Sequence, residues 1–227
     1  MAISIWQQIL SRGQQTLAVW QQHAPGFALR NLTLASHTAD VTALAPAGQA
    51  AEDAQEGVDN AREDRDATLA AVSGMNTRLP RKMDGELLPD DPFHADLEDI
   101  RRVSSVSGPA TLERGQKVVA LWKKVNARNA AASPVIPAVT VGGVTLATFT
   151  AQVESLPVKT QAVEDQEAAL RDVRGTLRAL AARTDQNNKR WYAGWQGEFP
   201  AGTPEGDALS QITTSGGGHG GGNPPVG

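Results

Sequence analysis

V-T-V-G-G-V-T-L-A-T-F-T-A-Q-V, residues 139–153, opens a stretch that runs through a long helical pattern and closes on G-E-F-P-A-G-T-P-E-G-D-A-L-S-Q-I, residues 197–212. The chain carries nearly the same text earlier. Residues 27–100 match residues 139–212 without a gap at a shift of 112, pairing Thr33 with Thr145, Leu44 with Leu156, Asn76 with Asn188, Pro92 with Pro204 and Ile100 with Ile212. An upstream segment repeats too, now at a shift of 102: L-S-R-G-Q-Q-T-L-A-V-W from Leu10 returns as L-E-R-G-Q-K-V-V-A-L-W from Leu112. The change of shift places ten extra residues in the second half, within residues 129–138. The pattern is that of a tandem internal duplication, which divides the chain into repeats 1–106 and 107–212 and a tail, 213–227.

Each repeat predicts the same elements. Ser4 and Gln7 have capping-box spacing ahead of an apolar stripe, Trp6, Ile9, Gly13, Leu17 and Trp20, so a first helix spans residues 4–23. Residues 27–34 and 139–146 alternate apolar side chains about Arg30-Asn31 or Gly142-Gly143, residues suited to a tight turn, and predict two short β-hairpins. Thr33 and Thr145 then stand as N-caps of long helices, with Pro46 and Pro157 expected to kink or break them. A heptad seam follows: Ala47, Ala51, Ala54, Val58, Ala61, Thr68, Val72, Met75 and Leu79, continued in register by Val163, Leu170, Val173, Leu177, Leu180 and Trp191. Asp91-Pro92 and Thr203-Pro204 predict a capped short helix at the end of each repeat. The fold class is mainly α: duplicated helical-bundle units, each with a small β-hairpin. The Gly/Pro-rich tail, T-T-S-G-G-G-H-G-G-G-N-P-P-V-G, is too poor in apolar residues to offset the entropy of ordering and is expected to be disordered.

Composition narrows the function classes. The 227 residues include no cysteine, which removes disulfides and thiolate metal sites. The formal charge is −4 and gives no electrostatic footprint for nucleic acid. It is split unevenly: residues 1–106 carry nine Lys/Arg and fifteen Asp/Glu, net −6, and residues 107–227 carry twelve and ten, net +2. No apolar run approaches the roughly 18 residues of a membrane span, and the N-terminus lacks the features of a signal peptide. The default location is the cytoplasm.

Few residues suggest chemistry. His23, His37, His94 and His219 belong to no metal-ligand spacing and are expected to be surface or boundary residues. The acidic cluster Asp84, Glu86, Asp90, Asp91, Asp96, Glu98 and Asp99 fits no calcium loop and is interrupted by Pro89 and Pro92. No catalytic constellation, cofactor motif or metal set emerges. Trp191, Tyr192 and Trp195 have no aromatic counterpart in the first repeat. They are possible interaction anchors, with core or inter-repeat packing as the favoured reading.

The T-L-A-x-x-T-A-x-V-x-x-L opening at Thr145, its fainter copy at Thr33, and the G-T-P-E exit at Gly202 resemble bacterial proteins of uncharacterised activity. Those proteins carry a V-x-G-x-T-L hairpin-like opening, a long Ala-rich helix and a low-complexity tail. The resemblance implies a bacterial origin and a helical fold. The functional expectation is a non-enzymatic structural or protein-interaction module, self-associating or bound to a protein partner. A virion or cell-envelope component tethered through its tail is the second reading, and an enzyme with a site between the repeats the third.

Overall fold

A computed structural model describes residues 4–103 and 107–212. The expected disorder of residues 213–227 lies outside the described residues. Six α-helices follow in order: α1 (Ile5–His23), α2 (Leu34–Glu86), α3 (His94–Arg102), α4 (Gly108–Ala131), α5 (Leu146–Glu198) and α6 (Pro204–Asp207), the last continued by a 3-10 turn, Ala208–Gln211. The helix starts follow local chemistry. The Ser4 N–H donates to Gln7 Oε1 at 3.0 Å. Thr33 Oγ1 accepts from the Ser36 N–H at 3.1 Å, Thr145 Oγ1 from the Thr148 N–H at 3.2 Å, and Thr203 Oγ1 from the Gly206 N–H at 3.1 Å. Each hydroxyl satisfies one of the N–H groups that a first turn leaves without a partner. Asp91 acts differently from Thr203: its Oδ1 accepts from the Phe93 N–H at 3.0 Å, in a turn ahead of α3.

The two β-hairpins are not seen, and the described residues contain no β-strand. Each expected hairpin is one tight turn closed by a single antiparallel bridge, Leu29 with Leu32 and Val141 with Val144. Asn31, Gly142 and Gly143 take the positive φ values, 62°, 58° and 80°, that such turns use. A ladder cannot grow because its neighbouring groups are engaged elsewhere. The Trp20 indole N–H donates to the Phe27 carbonyl at 2.8 Å, and the Trp122 indole N–H to the Val139 carbonyl at 2.9 Å. On the other side, Thr33 and Thr145 already begin a helix.

Nor do the prolines break α2 or α5, which run unbroken through Pro46 and Pro157. Pro46 stands on an exposed face, and Thr42, whose carbonyl loses its helical partner to the proline ring, is exposed as well. Water can reach that carbonyl, while buried Val41, Leu44 and Ala51 hold the flanks.

The chain forms two compact units, Met1–Gln55 with Ala169–Gly227, and Glu56–Ala168. Each draws helices from both matching halves of the sequence. The first unit holds α1, the start of α2, the end of α5 and α6. Within it α2 and α5 run antiparallel: Gln55 accepts from Arg174 at 2.8 Å and Asp40 from Arg183 at 2.5 Å. Its core gathers Val19, Trp20, Leu32, Trp191, Trp195, Ala208 and Ile212, with a second cluster of Leu44, Leu180 and Ala181. The second unit holds the end of α2, α3, α4 and the start of α5. Here Glu167 pairs with Arg62 and Asp64 with Lys159, again antiparallel. Its core runs from Val72, Leu79 and Met83 through Leu97, Ile100, Val118 and Trp122 to Phe149 and Val153.

Matching positions take matching places in the two units. An added Cβ on Gly13 would lie 2.7 Å from Val41, and one on Gly115 would lie 3.0 Å from Val153, so in both units the helices meet closely at a glycine. Trp20 and Trp122 are both fully buried, as are Leu79 and Trp191, Met83 and Trp195, and His37 and Phe149.

Candidate functional site

Trp191 and Trp195, one turn apart on α5, both point into the core of the first unit and are fully buried; Tyr192, between them, is half-buried. The ring centroids of Trp191 and Trp195 are 4.6 Å apart, and Phe199 lies 4.6 Å beyond Trp195. Phe27 meets Trp195 edge-on at 5.3 Å, and Trp20 lies 5.9 Å from Trp191. Such offset and edge contacts add to burial. The Trp195 indole N–H donates to the Glu205 carbonyl at 2.8 Å, tying α6 to the cluster. Of the two roles open to these aromatics, packing is the one the geometry displays.

Beside this cluster sits a group of buried polar atoms. His37 is fully buried 6.2 Å from Trp20, and its ring nitrogens have no well-formed hydrogen bond, only a weak polar contact with the Asn188 side chain. Asn188 is buried, and neither of its side-chain polar atoms makes a well-formed hydrogen bond; nor does the Trp191 N–H. Burial lowers the His37 pKa below its ordinary value; the adjacent Asn188 side chain and the charge of Asp40 push the other way and only partly offset it. The folded chain therefore resists protonation of this ring. The expectation that His37 is a surface or boundary residue is corrected by its full burial, at the place that Phe149 fills in the second unit.

The acidic segment resolves into ion pairs inside the second unit. Asp84 pairs with Arg101, Asp91 with Arg128, Asp96 with Lys124 and Asp99 with Lys117. Hydrogen bonds that Lys117 donates to Asp99 and then to Glu113 raise its pKa. Among the described residues no group of three or more His, Asp or Glu side chains is placed to hold a metal ion. His94 Nε2 lies 2.9 Å from the Leu88 carbonyl, His23 is half-buried, and His219 lies outside the described residues. No described helix is long and apolar enough to cross a membrane.

Two surface features of the second unit bear on function. One is a cleft of about 520 Å³ in the second unit, lined by Arg65 and Leu69 of α2, Gly108 and Leu112 of α4, and Leu156 and Thr160 of α5, among others. Its volume falls in the roughly 300–1,000 Å³ range of small-molecule sites. The other is the loop after α4, in the ten residues that the first half lacks. Pro134, Val135, Ile136, Pro137 and Ala138 are all exposed there, Val135 at 70% and Ile136 at 49%. Even so, the loop is tied down. The Ile136 N–H donates to the Asn129 carbonyl at 3.0 Å, the Asn129 side chain donates to the Pro137 carbonyl at 3.3 Å, and Asn126 accepts from the Val139 N–H at 2.9 Å.

Comparison of the chain with protein-family models, with curated proteins and with solved structures returned no match. The resemblance to bacterial proteins thus rests on the quoted motifs alone.

Proposed function

We propose that the chain is a non-enzymatic structural module that makes protein contacts, with another copy of itself or with a partner, through the loop after α4. The observation that supports this is the loop's combination of order and exposure. Single exposed apolar residues are ordinary, but five in a row on an anchored backbone form an exposed apolar projection. A loop held by Asn126 and Asn129 loses little entropy on docking. Site-specific photo-crosslinking from a benzophenone residue at Val135, in the cell of origin, tests it. The expected result is a discrete adduct that disappears when Ile136→Ser is added, with the melting temperature of the purified protein unchanged. Absence of any adduct, together with a monomer at all concentrations by sedimentation, would refute the reading.

A further inference from the structure

Beside the exposed loop after α4 runs an open, largely apolar groove of about 620 Å³, also in the second unit. It lies between α4, which contributes Lys123 and Asn126, and the start of α5, which contributes Leu146, Ala147, Ala151 and Glu154. Ala147 and Ala151 are one turn apart and both exposed, so on this helix the groove is a channel of small side chains. Loop and groove are continuous. Ala138 ends the exposed apolar run and lines the groove, and Asn126, which accepts from the Val139 N–H at 2.9 Å, belongs to both. An apolar projection thus stands at the edge of an apolar recess. The groove also carries one exposed cation, Lys123, and one exposed anion, Glu154; among the described residues neither has an ion-pair partner. The first repeat lacks these features together. The ten residues that hold the loop are missing there, and Gln21, Ala24 and Thr42 stand where the second repeat has Lys123, Asn126 and Glu154.

We infer that the occupant of this groove is the loop after α4 of a second copy of the chain, the two copies being related by a two-fold axis. The inference rests on the protein-contact reading above and narrows its partner to the chain itself. In a two-fold interface one patch meets itself, so the patch must carry both halves of every contact. This one does so twice, with an apolar projection beside an apolar recess and an exposed cation beside an exposed anion. The rotation seats Val135 and Ile136 of each copy against Ala147 and Ala151 of the other. It also brings Lys123 of each copy to Glu154 of the other, so that opposite charges meet at both ends. A partner of another sequence would have to match shape and charge independently, whereas a second copy presents both by construction.

Sedimentation equilibrium of the purified full chain tests this, with four variants at exposed positions. The wild type is expected to form a dimer whose population rises with concentration. Ile136→Ser in the projection and Ala151→Arg in the recess are each expected to weaken the dimer at least about tenfold in Kd, with the circular dichroism unchanged. Lys123→Glu and Glu154→Lys each set like charges against one another and are expected to weaken it likewise. Mixed in equal amounts, these two are expected to regain the wild-type affinity, because both ion pairs re-form in the mixed dimer; a misfolded variant could not be rescued in this way. A wild type that stays monomeric at every concentration would overturn self-docking. If the Val135 adduct then forms in cells with a different protein, the contact reading stands without it. A dimer that Ala151→Arg leaves unweakened would overturn the groove as the receptor, and a mixture no tighter than its components would overturn the two-fold arrangement.

Discussion

Replacing His37 by Phe should stabilise the protein, and more so in acid. The substitution copies the second unit, where Phe149 occupies the matching place, fully buried, 6.1 Å from Trp122 as His37 is 6.2 Å from Trp20. The ring contact is kept, while a buried donor and a buried acceptor whose only polar contact is a weak one with Asn188 are removed. Leaving one buried polar group unsatisfied costs about 1–3 kcal/mol, so a gain on the order of 1–3 kcal/mol is expected at pH 8. The pH dependence follows from the lowered pKa of the folded state. In the unfolded chain the imidazole takes up a proton near its ordinary pKa of about 6.5. The folded chain resists that proton to lower pH. Between the two pKa values the unfolded state binds more protons, so this group's contribution is intact above about pH 6.5 and is lost as the pH falls below it. The limiting slope for one proton is about 1.4 kcal/mol per pH unit. Urea unfolding of both proteins from pH 8 to pH 5 checks this. The stability difference in favour of the Phe variant should be flat above pH 7 and widen below pH 6.5. A Phe variant less stable than wild type at pH 8, or a difference that does not change with pH, would refute the reasoning.

Other outcomes follow from the same structure. Trp122→Phe removes the bond to the Val139 carbonyl and should cost about 1–3 kcal/mol in denaturant unfolding, through the buried acceptor left behind. Pro46→Ala restores a helical hydrogen bond at an exposed position; since an interior proline costs about 3 kcal/mol, the variant should unfold at higher urea than wild type. Gly143→Val forces a β-branched residue to a φ of 80° and should lower the melting temperature, whereas Asn31→Gly, at a φ of 62°, should raise it. Residues 1–106 and 107–227, expressed separately, should each be unfolded by circular dichroism and gain helix on mixing, because each compact unit needs segments from both.

Helices were the legible part of this chain. Caps at Thr33, Thr145 and Thr203 and the buried seam positions Val58, Val72, Met75, Leu79, Val163 and Leu170 follow from spacing alone. The hairpins were overread because alternation about a turn records only local preference. It carries no sign that Trp20 and Trp122 claim the flanking carbonyls from the helix before. Which segments share a core was not legible either: a seam tells which face is buried, not which helix covers it. The cleft was not legible, because Leu69, Leu112 and Leu156, which line it, lie far apart in the chain.

The central structural claim is that each compact unit is assembled within one chain from both matching halves, with α2 and α5 antiparallel. The chain contains no cysteine, so pairs can be placed at will. Cysteines at Asp40 and Arg183 test the first unit, where those side chains are in contact, and cysteines at Asp64 and Lys159 test the second. Asp40 paired with Gln55 serves as control, since 15 residues of helix separate the two by about 22 Å at 1.5 Å per residue. A short bismaleimide applied at high dilution should link both test pairs within the monomer and leave the control unlinked. Links that form only between chains, or in neither test pair, would contradict the account.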